Sequence, residues 1–212
     1  VDFTPHIAAL LKNPPHGFGS CLNPCIDCHA AMVRKASEIM AREGFDFIAT
    51  GEVLGQRPMS QRRDALNMVQ KDSGIPGRLL RPLSAQLLPE TEPETLGIVD
   101  RSRLLGLSGR NRKPQLEMAK RFGLVEFPTP AGGCLLTEPN YTRRLKNLME
   151  HEGLDDERLL RLLAHGRHFR LDAGTLAIVG RNRGDNEFIR TAMRGGDALV
   201  KPVDKPGATV LA

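Results

Sequence analysis

Phe45-Asp46-Phe47-Ile48-Ala49-Thr50-Gly51-Glu52-Val53-Leu54-Gly55-Gln56-Arg57-Pro58 reads as a short strand, 45–49, running into a glycine-containing loop. Ser60 is expected to cap a helix that runs to about Asp72 and is closed by Gly74. Strand, glycine loop and helix in that order is the grammar of an α/β fold. Ligands in such folds bind beyond the carboxyl ends of the strands, so loop 50–57 stands where a nucleotide would bind. An ordinary strand-to-helix turn has the same pattern.

Upstream, the spacing of Val33, Ala36, Ile39 and Met40 predicts a helix from about His29 to Glu43, ended by Gly44. Before it lies Cys21-Leu22-Asn23-Pro24-Cys25-Ile26-Asp27-Cys28-His29, which holds three of the four cysteines; the fourth is Cys134 in Ala131-Gly132-Gly133-Cys134. Pro24 fixes its own φ and biases Asn23 to extended backbone, which would preshape a loop. Thiolates are soft ligands for zinc, copper(I) or iron–sulfur clusters. Cys25, Cys28 and Cys134 are read as a three-thiolate metal site; on a four-iron cluster they would leave one iron open. Two readings compete: buried thiols without a ligand, and a structural zinc completed by His16 or His29. The spacing Cys21-x3-Cys25-x2-Cys28 also matches radical enzymes that use S-adenosylmethionine. Asp27 stands where those carry an aromatic residue, and the chain has no run of βα units long enough for a barrel.

The chain has 212 residues, 40% of them hydrophobic, enough for one or two domains with a real core. No apolar run approaches a membrane span and no secretory signal is visible. Clustered thiols without such a signal point to a reducing cytoplasm. Because the chain opens on Val1-Asp2-Phe3, the amino-terminal part of a domain is expected to be missing. The net charge of +5 allows a nucleic-acid partner, and it is segregated. Residues 57–81 carry six Lys/Arg against Asp64 and Asp72; residues 101–121 carry seven against Glu117. Such segments suit phosphate backbones, with Arg57, Arg62, Arg63, Arg110, Arg112 and Lys113 as candidate contacts. A solvated basic face is the plain alternative. One Tyr and no Trp argue against recognition dominated by base stacking.

Elsewhere, Thr4 and Pro5 open a helix over 4–12, and Leu79-Leu80-Arg81-Pro82-Leu83 is a strand end. A short helix is expected near 93–98, and Pro139 starts one to about Glu152. After a helix from Asp155 to about His165, the chain turns to short strands at 167–171, 175–179, 198–203 and 208–211, with a helix near 185–194. Two domains are expected, 1–153 and 154–212. Gly180-Arg181-Asn182-Arg183-Gly184 links strand to helix and could offer Arg181 to phosphate, although a plain turn needs no function.

Ala49-Thr50-Gly51-Glu52-Val53-Leu54-Gly55-Gln56 with Ser60-Gln61, and Leu80-Arg81-Pro82-Leu83, resemble segments of the 4-thiouridine synthases, which are built on the PP-loop ATP-pyrophosphatase fold. Asn23-Pro24-x3-Cys28 resembles the loop carrying the first reactive cysteine of 2-thiouridylases. The C-x-x-C pair with Gly133-Cys134 is similar to the thiolases that hold a 4Fe-4S cluster. Val179-Gly180-Arg181-Asn182, Asn186 and Pro206-Gly207 resemble the RNA-binding NFACT-R module. The resemblance implies an α/β fold, a partial Rossmann-like PP-loop domain followed by a small α+β domain. It also implies a cytoplasmic tRNA sulfurtransferase working with tRNA, ATP/Mg2+ and a sulfur donor, and it allows a homodimer.

On that resemblance ATP adenylates a uridine carbonyl oxygen, AMP becomes the leaving group, and sulfur attacks the activated carbon. Thr50, Gly51, Glu52 and Gln56 would line the nucleotide pocket. Cys28 and Cys134 would act on sulfur, either as cluster ligands with Cys25 or, in a persulfide route, with Cys28 carrying sulfur and Cys134 resolving it. The phosphate-gripping Ser-Gly-Gly-x-Asp-Ser motif is absent from this chain, and Cys21 has no place in the family's cysteine set. A reading from another class is a non-catalytic RNA-binding protein with a structural zinc.

Overall fold

The computed structural model describes residues 1–127 and 133–212. In chain order its helices are α1 (Thr4–Lys12), α2 (Cys25–Glu43), α3 (Arg63–Asp72), α4 (Glu92–Thr95), α5 (Lys113–Arg121), α6 (Pro139–His151), α7 (Glu157–Leu162) and α8 (Arg183–Thr191). Its strands are β1 (Ile48–Ala49), β2 (Leu79–Leu80), β3 (Arg167–Arg170), β4 (Leu176–Val179), β5 (Leu199–Val200) and β6 (Val210–Leu211). This is a mixed helix-and-sheet chain. None of its described helices is long and apolar enough to cross a membrane.

The chain divides into two compact units, one of Pro14–Gly19 and Pro24–Gly133, the other of Val1–Asn13, Ser20–Asn23 and Cys134–Ala212. In the first, β1 and β2 pair in parallel, Ile48 opposite Leu79 and Ala49 opposite Leu80. Val33 of α2, Val69 of α3 and Leu79 form the core beside them. Burying such side chains is the main stabilising term. Gly44 takes the left-handed conformation, φ +74°, that ends α2.

Two helix starts differ from expectation. α2 begins at Cys25, four residues before His29, so the C-x-x-C motif lies on its first turn and not in a loop. Pro24 is compatible with the residue before a helix, and its carbonyl accepts from the Cys28 N–H at 2.8 Å to close that turn. α3 begins at Arg63 behind an extended Arg62, and Ser60 is fully buried and caps nothing.

In the second unit, Ala8 and Leu11 of α1 share one apolar cluster with Leu145 and Leu148 of α6 and with Leu160 and Leu163. That cluster is why the expected split between 153 and 154 falls inside a compact unit. A second cluster joins Leu162, Ile178, Ile189 and Leu211. It packs α8 against an antiparallel sheet of order β3-β4-β6-β5. α8 starts where the Asn182 side chain accepts from the Asp185 N–H at 2.9 Å. Residues 128–132, before Cys134, lie outside the described residues and include Gly132 of the expected Gly-Gly turn.

Candidate thiol site and basic clefts

Cys25 is the first residue of a 19-residue helix, where unpaired backbone N–H groups and the helix dipole favour a negative charge. His29, one turn along on the same face, is hydrogen-bonded to it. The buried Ser60 hydroxyl, which has no hydrogen-bond partner among the described residues, lies close enough to the same sulfur to favour its ionised form. Burial pushes the Cys25 thiol up, but the hydrogen bond from His29, the nearby Ser60 hydroxyl and the Arg57 charge outweigh it and hold the thiol below its ordinary value.

Behind the imidazole stands a carboxylate. His29 Nδ1 lies 2.9 Å from Glu52 Oε1. The other Glu52 oxygen accepts from Arg81 Nε at 2.8 Å and from Thr50 Oγ1 at 3.1 Å. Arg81 is nearly fully buried, and its remaining donors reach Gln70 Oε1 at 2.9 Å and the Leu66 carbonyl at 3.0 Å. Burial would lower His29, yet the bonds to Cys25 and Glu52 raise it to about 9. Burial would likewise raise Glu52, yet His29 and Arg81 pull it down to about 2. The result is a line, Cys25–His29–Glu52–Arg81, that favours the thiolate form of Cys25 and keeps the imidazole cationic near neutral pH. Such a thiolate can act as a nucleophile, carry sulfur or bind a soft metal.

The expected nucleotide-lining residues have varied surroundings. Glu52 is committed to this line. Gln56 is buried and exchanges hydrogen bonds with Gln115, at 2.6 and 3.2 Å. Thr50 donates to Glu52, and Gly51 is exposed with open space where a side chain would be.

Cys28 is half-buried on the same turn as Cys25. Cys134 belongs to the other unit, where its carbonyl accepts from Thr137 N at 2.9 Å and Thr137 Oγ1 at 2.6 Å. Cys21 is exposed with φ +59°. Among the described residues, no three His, Cys, Asp or Glu side chains gather to hold a metal ion. His16, a proposed zinc ligand, has Nδ1 on Asp27 at 2.7 Å and Nε2 on Asp72 at 3.4 Å, so both ring nitrogens are engaged.

Several of the basic residues face inward. Arg81 is a core residue, and Arg101 reaches Glu94 at 2.5 Å and the carbonyls of Ala85 and Leu88. Arg62 pairs with Asp64 at 3.0 Å, Arg63 donates to the Leu87 carbonyl at 3.1 Å, and Arg57 acts on Cys25. Arg110, Arg112 and Lys113 are exposed around the start of α5. Arg181 is held by Asp185, with Nε 2.7 Å from Oδ2, and by the Ala164 carbonyl. That contact depresses the Asp185 carboxyl far below its ordinary range.

Sequence reasoning missed the Cys25–His29–Glu52–Arg81 line. Its signal was present. Glu52 and Arg81 each follow the end of a strand, by three residues and by one, and parallel pairing of those strands brings both to the same sheet end.

No curated protein and no solved structure matches the chain. The carboxyl-terminal segment, residues 166–212, which runs from β3 through α8 to the end of the chain, matches the family model of the NFACT protein RNA binding domain.

Proposed function

We propose that this chain handles sulfur on an RNA substrate, as part of an ATP-dependent tRNA uridine thiolation. The observation that carries the reading is the Cys25 thiol, whose ionisation His29 favours, beside the loop that follows β1, in a chain whose tail matches an RNA-binding family. Replacing a uridine carbonyl oxygen by sulfur needs a sulfur nucleophile whose ionisation is favoured and an RNA held nearby. The chain's resources match those two needs.

The residues divide the work. His29 and Glu52 favour ionisation of Cys25, and Cys28 offers a second thiol on the same turn. Cys134 is the third thiol of the resemblance, and in kind the three sulfurs fit a 4Fe-4S cluster that Cys25, Cys28 and Cys134 would hold. Such a cluster, when bound, supplies an open iron site for hydrosulfide. In the persulfide alternative Cys28 carries the sulfur and Cys134 resolves it. The nucleotide would lie at the exposed edge of loop 50–57, near Gly51, on a PP-loop-type fold, in a cytoplasmic protein. Liquid chromatography of tRNA nucleosides from a deletion strain is the test. Loss of a thiouridine, restored by the intact gene but not by Cys25→Ser, supports the reading, and an unchanged nucleoside profile overturns it.

A second reading has an observation of its own. Histidines that bind a metal usually give their other ring nitrogen to a carboxylate, as His29 does with Glu52. A structural zinc on Cys25, Cys28, Cys134 and His29 would make the chain an RNA-binding protein without catalysis. Anaerobically purified protein separates the two: a brown, iron-containing sample favours the cluster, and a colourless, zinc-containing one favours this second reading.

A further inference from the structure

The tail contains an open cleft of about 760 Å³ between the start of α8 and the loop 201–209. Its walls are pinned by one side chain. Asn186 donates through Nδ2 to the Gly207 carbonyl at 3.1 Å, and its Oδ1 accepts from the Thr209 N–H at 2.9 Å. Gly180 makes room for that amide, because a Cβ there would lie 2.0 Å from Asn186 Oδ1.

Five cations line the cleft, and they are not equivalent. Arg181 is bound to Asp185, and Arg183 pairs with Glu187 at 2.9 Å, so these four charges cancel and shape the wall. Arg190, Lys201 and Lys205 are exposed and have no ion-pair partner among the described residues. Asp204, in the same loop, does not line the cleft. Three unneutralised cations therefore face one concavity. No aromatic side chain lines it, which removes base stacking as a source of affinity.

We infer that this cleft grips the RNA phosphate backbone through Arg190, Lys201 and Lys205, with Asn186 and Arg181 as positioning residues. The inference rests on the RNA-binding reading of the tail and adds where, and by which atoms, the RNA is held. It also states the kind of recognition: backbone charge, tolerant of sequence.

Cations that displace counterions from a single strand contribute about 0.7 each to the slope of log affinity against log salt. The triple variant Arg190→Ala/Lys201→Ala/Lys205→Ala should therefore lose about 2 from that slope. Wild type should then lose about 20-fold more affinity than the variant between 50 and 200 mM salt. Fluorescence anisotropy of a labelled single-stranded RNA oligonucleotide with the full chain reads this directly. An unchanged slope in a variant that melts like wild type overturns the cleft assignment while leaving the tail an RNA binder. Wild type that binds no RNA overturns the RNA-binding reading itself. Lys205→Glu, on an exposed side chain with no ion-pair partner among the described residues, gives the same test if the triple variant melts early. It should lower the slope by about 0.7 or more, and no change would count against the cleft.

Discussion

Glu52→Gln removes one charge from the centre of the Cys25–His29–Glu52–Arg81 line and keeps its shape. Raising His29 from 6.5 to about 9 corresponds to a preference for the imidazolium of roughly 3 kcal/mol, with Cys25 and Glu52 as the two sources. Without the carboxylate, His29 should fall back toward 6.5 and the Cys25 thiol should rise toward its ordinary value. The variant also orphans a buried guanidinium. Removing one partner of a buried pair costs about 3–5 kcal/mol, and the glutamine oxygen, which still accepts from Arg81, favours the lower end. For a chain of this size that corresponds to a melting shift of about 6–12 °C.

Stability against pH follows the same groups. Glu52 is depressed, so its contribution is complete above about 4.5 and is lost as pH falls through about 2. His29 is raised, so its contribution is complete below about 6.5 and is lost as pH rises through about 9. The alkaline limb belongs to His29 and Cys25 together, because they share a proton. In Glu52→Gln both limbs should flatten. The assay is iodoacetamide alkylation of Cys25, followed by mass spectrometry across pH, beside thermal melts. An alkylation profile that does not move upward, with an unchanged melt, refutes the role assigned to Glu52.

On the cluster reading, Cys28→Ser and Cys134→Ser should each remove iron and brown absorbance from anaerobically purified protein, while Cys21→Ser should leave both nearly intact. Full iron in Cys134→Ser would eliminate the three-thiolate site. Arg110→Ala/Lys113→Ala should lower the salt slope of tRNA binding by about 0.7–0.9 per lost contact, and an identical slope would place α5 away from the RNA. Leu145→Ala, in the cluster that joins α1 to α6, should destabilise the chain by about 2–5 kcal/mol in denaturant melts. A smaller loss would mean that α1 adds little to that unit.

Much of the fold was legible because its signals are local. The Gly44 stop, Pro5 and Pro139 near helix starts, and the short strands of the tail all follow from residue type and periodicity, and they sit within a few residues of expectation. The start of α2 was not legible. Pro24 reads equally as a loop former and as the residue before a helix, and only the closing Cys28-to-Pro24 hydrogen bond distinguishes them. The joining of α1 to α6 and α7 was hidden for another reason. Its evidence is a contact between Leu11 and residues more than 120 positions away, and no local pattern encodes such a partner.

The thiol site shows the same division between local and distant information. That Cys25 and Cys28 matter is visible in their spacing, but spacing treats them as equivalent. Folding separates them: Cys25 takes the helix terminus and His29, while Cys28 sits one turn in. Formal charge was misleading in a related way. Counting Arg81 and Arg101 as surface cations overstates the basic faces, since one anchors Glu52 and the other ties a carboxylate to two carbonyls. Arg181 looked like a phosphate ligand for the same reason, and Asp185, only four residues on, has already claimed it. Charge that stays available to RNA is charge left over after internal pairing. By that measure, Arg190, Lys201 and Lys205 in the tail are stronger candidates than Arg181.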